Sequence, residues 1–246
     1  MLGYNGRAML DGADRFLLRR LAVAALAALL LGSAATAALG HGIEGEDQAF
    51  LLRAAGVHVG PYLYLGAKHM VTGYDHLLFL AGVIFFLYRL KDVALYVTLF
   101  AIGHSATLLL GVLGGLHVNP YLIDAVIGLS VVYKAFENLG GFRRLGFEPS
   151  TKAAVMVFGL FHGFGLATKL QELAISRDGL VANMISFNIG VELGQLLALS
   201  VMLVGFTLWR SMGTSFMRHA FAANVVLMAA GMVLIGYQLT GYFVTT

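Results

Sequence analysis

A histidine, five residues and an Asp-His pair, HMVTGYDH, run from His69 to His76 within sequence apolar enough to cross a bilayer. Imidazoles and a carboxylate at this spacing suit a divalent metal ion. On one continuous helix His69 and His76 share a face, and Asp75 can either bind the ion or orient a ring that does. Ionisable side chains are rare at membrane depth because removing them from water is unfavourable, so each marks a candidate functional position. Others follow: His104 in GHS, His162 in FHG, and Asn188, Glu192 and Gln195 at i, i+4, i+7. Three neutral imidazoles, one or two carboxylates and an amide suit nickel, cobalt or zinc, with geometry and supply deciding which. With no cysteine in the chain, thiolate ligands, disulfides and a cysteine nucleophile are excluded.

These groups need elements to hold them. Hydrophobic residues make up 59% of the chain and charged ones 12%, against roughly 25% charged in an ordinary soluble domain. The expected fold is an all-α polytopic membrane helix bundle, six transmembrane helices after a cleavable signal peptide. The net charge of +3 is scattered between apolar segments, a topology signal rather than a nucleic-acid surface. Residues 1–40 have the parts of a secretory signal. Arg15, Arg19 and Arg20 precede the run LAVAALAALLLGSAATAALG, and small residues suited to cleavage lie at Ala35 to Ala37 or Ala38 to Gly40. The alternative is an uncleaved first helix, since the run is near the roughly 20 residues that span. Cleavage after Gly40 would leave the free amine and ring of His41 as a further chelating group.

Residues 41–68 are expected to form a periplasmic segment and 69–246 the six-helix domain, with spans near 70–88, 93–113, 120–139, 153–170, 181–208 and 220–243. Arg89 and Lys91, then Arg143, Arg144 and Lys152, then Arg210 and Arg218 alternate with connections poorer in basic residues, such as Gly114 to Tyr121. That bias puts both mature ends on the periplasmic side of a bacterial inner membrane. Gly159 with Gly163, and Gly190 with Gly194, are expected at close helix contacts. By depth, Asp75, His76, His104, His162 and Glu192 converge in the outer half. Asn188 lies on the same stripe as Glu192, Asp124 near the outer end of the third span, and Tyr133 with Glu137 near its inner end. Glu137 is either an exit site or a group snorkelling to the surface.

The set resembles the HupE/UreJ family of membrane proteins. The resemblance rests on HMVTGYDH and on FHGFGLA from Phe161 to Ala167, with support from GYDHLLFL, FAIGHSATL, GLSVVYKAFENL and SFNIGVELGQ, and so covers nearly everything from His69 to Gln195. It implies nickel permeases or accessory proteins of hydrogenase and urease systems, with metalloenzyme maturation proteins as partners. It also implies that His69, Asp75, His76 and His162 handle the metal, helped by His104, Glu137 and Glu192. One departure stands out: where the second signature often continues to a glutamate, this chain has Thr168 and Lys169. The leading expectation is a secondary permease, working alone or as a homo-oligomer in the lipid bilayer, that carries a divalent ion inward. A metal-dependent intramembrane hydrolase with Asp75 or Glu192 as base, and a non-transporting accessory subunit, are the alternatives.

Overall fold

The structure is a computed structural model that describes residues 45–87, 89–173, 175–211 and 216–245. The expected signal peptide at 1–40, and His41, lie outside the described residues. Among the described residues all regular structure is helical: α1 Glu46–Arg53, α2 Val59–Thr72, α3 Tyr74–Ile84, α4 Leu90–Gly114, α5 Pro120–Asn138, α6 Gly141–Arg144, α7 Thr151–Glu172, α8 Leu180–Arg210 and α9 Phe216–Thr245. Local chemistry sets several of these limits. Asn119 caps α5 by accepting from the N–H groups of Tyr121 and Leu122, with Pro120 in the first turn. Gly115 ends α4 in the left-handed conformation, φ 64°.

Among the described residues, four helices are long and apolar enough to cross a membrane: α4, α7, α8 and α9. The 19 residues of α5 include Asp124, Lys134 and Glu137, which dilute its apolar character. The span expected at 70–88 differs most from expectation. In its place one helix begins at Val59, stops at Gly73 and is followed by a second that ends at Ile84. Alone, α3 reaches only about 16 Å, half of the roughly 30 Å hydrocarbon core. Gly73 makes the break. Its backbone is extended, φ −74° and ψ 101°, and a Cβ there would lie 2.8 Å from His76 Nδ1 and 3.0 Å from the His69 carbonyl oxygen. The boundary expected at residue 68 therefore falls inside α2, which is packed along α8.

Three helix pairs make the bundle: α2 with α8, α4 with α7, and α5 with α9. Glycines let the backbones touch. A Cβ on Gly190 would lie 2.0 Å from the Leu63 carbonyl oxygen, and one on Gly194 2.6 Å from that of Ala67. In the second pair a Cβ on Gly159 would lie 2.6 Å from the Phe100 oxygen, and one on Gly163 2.1 Å from that of His104. Both expected glycine pairs thus sit at helix contacts. The registers also give direction: α2 and α8 run the same way, as do α4 and α7. In the third pair Gly128 meets Ile235 and Tyr121 meets Gly241, so α5 and α9 are antiparallel.

α3 lies among these pairs, packed on α5, α8 and α9, with Asp75, His76 and every residue from Leu78 to Ile84 buried. A helix apolar on all sides is a core helix. Its C-terminal end is held by Arg210 at the end of α8, whose guanidinium donates to the carbonyls of Leu87 at 2.7 Å, Ile84 at 3.1 Å and Phe85. Cationic donors there satisfy terminal carbonyls and oppose the negative end of the helix dipole. Arg210→Met is expected to destabilise the protein by about 2 kcal/mol or more, the scale set by removing charged hydrogen bonds. Thermal unfolding in detergent measures this, and an unchanged midpoint would show that α3 is held by packing alone.

Candidate metal centre

His69 reaches the interior from the last turn of α2, His76 from the first turn of α3, His104 from mid-α4 and His162 from mid-α7. The break at Gly73 places His69 and His76 on two helices, yet their rings meet with centroids 5.1 Å apart. His76 also lies 5.8 Å from His104 and 4.8 Å from His162. One ligand nitrogen from each of His69, His76 and His104 falls within 4.8 Å of the others. Metal–nitrogen bonds of about 2.0–2.1 Å bring ligand nitrogens to within about 4 Å, a closure that small ring rotations provide. Phe79 and Phe100 pack edge and face against the group, with Phe100 5.0 Å from His162 and Phe79 5.5 Å from it.

Hydrogen bonding sets the tautomers. Asp75 Oδ1 accepts from the His76 backbone N–H and from the ring at Nδ1, both at 2.9 Å. The carboxylate can only accept, so Nδ1 carries the proton and Nε2 presents its lone pair. His162 Nδ1 donates to the Phe158 carbonyl at 2.7 Å, leaving its Nε2 in the same state. The Nε2 atoms of His76 and His162, and both ring nitrogens of His104, are buried with no hydrogen-bond partner among the described residues. Buried polar atoms normally find a partner, so converging lone pairs without one form a donor set for a cation. The residues present fit a borderline divalent ion, and Asp75 serves as the orienting carboxylate.

Glu192 does not join this group. It is exposed, whereas Asn188 and Gln195 of the same stripe are buried. At 3.6 residues per turn Glu192 sits about 40° further round the axis than Asn188, which carries it onto the side of α8 that also exposes Leu193 and Leu196. Asn188 donates to the Met184 carbonyl at 2.9 Å. Asp124 is engaged elsewhere, 3.2 Å from Lys169 Nζ, so the cation in place of the family's glutamate is neutralised away from the imidazoles.

Tyr133 and Glu137 lie toward the far end of α5. The Tyr133 ring packs on Phe142 and Phe158, with centroids 4.9 and 5.2 Å away. Glu137 pairs with Lys134 at 2.6 Å, accepts from the Thr151 hydroxyl, and borders a cavity of about 220 Å³ shared with Arg143 and Glu148. Sequence reasoning missed Asn183, which accepts from the His58 N–H at 2.7 Å and donates to the Gly56 carbonyl at 2.9 Å, latching the chain before α2 onto α8. Its signal was an amide on an otherwise apolar helix start.

Fold and site together define a helical membrane protein with a buried cluster of imidazoles. The chain matches the family described as HupE / UreJ protein over residues 45–246, and it belongs to that family. Neither the curated proteins nor the solved structures gave a match.

Proposed function

We propose that this protein is a permease that carries a divalent transition-metal ion, nickel in the first place, from the periplasm to the cytoplasm across the bacterial inner membrane. The observation that carries the reading is the set of buried lone pairs on His76, His104 and His162, which no donor among the described residues satisfies. A donor set of nitrogens, with Asp75 fixing a tautomer, favours nickel, cobalt, zinc or copper over the harder ions. His69 stands beside this set, and the ion is the cargo it holds.

In this reading α2 and α3 form one broken span, which with α4, α5, α7, α8 and α9 makes six. Strict alternation would then run spans one and five in parallel, two and four in parallel, and three and six antiparallel. The packing registers of the three helix pairs agree with that pattern, which puts both described ends on one side, and the basic bias of the alternate connections makes that side the outside, after a signal peptide over residues 1–40. Discontinuous helices near the midplane are a recurrent way to present ligands in transporters. Glu137, at the inner cavity with Glu148, would accept the ion on exit, displacing the Lys134 ammonium. This polar route on the far side supports transport over a closed hydrolase pocket. An inward-negative potential favours ingress by about 2.3 kcal/mol per charge per 100 mV.

Proteoliposomes holding the wild-type protein are expected to accumulate radioactive nickel when an inward-negative potential is imposed, at rates well above protein-free vesicles. Stoichiometric binding with no flux under the same gradient would overturn transport and leave a metal-binding accessory subunit.

A further inference from the structure

Gln195 is the deepest polar group that the imidazole site leaves unexplained. It is 0% exposed, and neither Nε2 nor Oε1 has a hydrogen-bond partner among the described residues. A primary amide can make several hydrogen bonds, and burying one with none is strongly unfavourable. Such a group is retained when something other than the protein engages it.

Its position says what. α2 and α8 run side by side, with Leu63 against Gly190, and Ala67 and Met70 against Gly194. That register sets Gln195 level with His69 and Met70, at the depth of the break before α3. On α8 it continues a buried stripe with Met184, Asn188, Val191 and Leu199, spaced at i+3, i+4 and i+7 along one face. Asn188, two turns further out, also keeps a buried Oδ1 without a partner. Two neutral amides therefore lie on the buried face of α8, Gln195 level with His69 and Asn188 two turns nearer the helix N-terminus, while the carboxylate between them, Glu192, is turned outward.

We propose that the Gln195 amide, buried level with His69 and hydrogen-bonded by no protein group, contacts the partly hydrated divalent cation and passes it to the imidazole cluster. This rests on the metal-carrying reading above and assigns it a specific handover residue. The amide oxygen can bind the ion or accept from its water, and the amide N–H groups can donate to that water. A single amide holds a borderline divalent ion more loosely than a set of imidazole nitrogens does, which suits a station that must release what it receives.

The test pairs kinetics with stability in the purified, detergent-solubilised protein, using cobalt(II) as probe because its visible absorption reports imidazole coordination. Gln195→Leu is expected to slow the appearance of the imidazole-bound cobalt spectrum about tenfold or more, the scale of removing one hydrogen-bonding group from an apolar route. The spectrum at saturation should match wild type, since the imidazoles are intact. The metal-free variant should melt higher, by roughly 2–4 °C, because a buried unsatisfied amide has been replaced by an apolar group of similar size. A purely structural amide gives the opposite sign, so a lower melting point overturns the assignment, as does an association rate within twofold of wild type. Wild-type protein that develops no imidazole-bound cobalt spectrum removes the metal-carrying reading as well. A normal wild type beside an unaltered variant removes the Gln195 assignment alone.

Discussion

The His76→Ala protein is expected to bind nickel about 100-fold more weakly than wild type, or not at all, and to lose uptake in vesicles. Ring contacts link His76 to His69, His104 and His162, so its removal takes away the nitrogen common to the whole cluster. Asp75→Asn makes a graded companion. The amide keeps the side chain's shape but lacks the charge that holds the Nδ1 proton, so affinity should fall roughly 10–100-fold, as for other groups that orient ligating histidines. Acidification should weaken binding in wild type, because protons compete for the same Nε2 lone pairs. Isothermal titration with nickel measures all three. Asp75→Asn with undiminished affinity would remove the orienting role. The His76→Ala protein should stay folded, since α3 is also fixed by Arg210 at its other end.

Gly190→Val should have the largest effect on the fold. The Leu63 carbonyl oxygen lies 2.0 Å from the position of a Cβ on Gly190, and that of Phe187 is equally close to a Cβ on Gly66. The obstacle in both cases is backbone, which cannot rotate aside, so α2 and α8 would have to separate. The expected destabilisation is about 3 kcal/mol or more, enough to leave little monodisperse protein after detergent extraction. Gly205→Ala on the same helix is the control, because nothing lies within 4 Å of a Cβ there, and it should extract and melt like wild type. Equal behaviour of the two variants on size-exclusion chromatography would mean that the packing of α2 on α8 does not govern assembly.

Much of the outcome was written in local pattern. Residue composition and the lengths of the apolar runs determined a helical membrane protein, and five of the six expected spans match helices to within a few residues. The intramembrane histidines marked the candidate site, because a polar side chain in an apolar run signals itself whatever it packs against. Convergence of His69 with His76 was also expected, but through one unbroken helix. A glycine inside an apolar run does not announce a break, and this one is set by the folding of His76 and Asp75 back across Gly73.

The tertiary structure alone decided what depends on rotation about a helix axis and on which helices pair. Hydropathy gives depth, so Glu192 and His104 stand at comparable levels; only packing turns the first outward and the second in. Lys169 departs from the second signature, and only the fold shows that Asp124 of α5 pairs with it. Arg210 and Gln195 stand out in the sequence only as a basic connection residue and as part of a polar stripe, whereas the first acts by reaching the end of a helix more than 120 residues earlier in the chain and the second matters because nothing among the described residues meets it. Spacing along a chain is a one-dimensional property, whereas pairing through glycine contacts is set by the close fit of two surfaces, which becomes visible only once the helices have met.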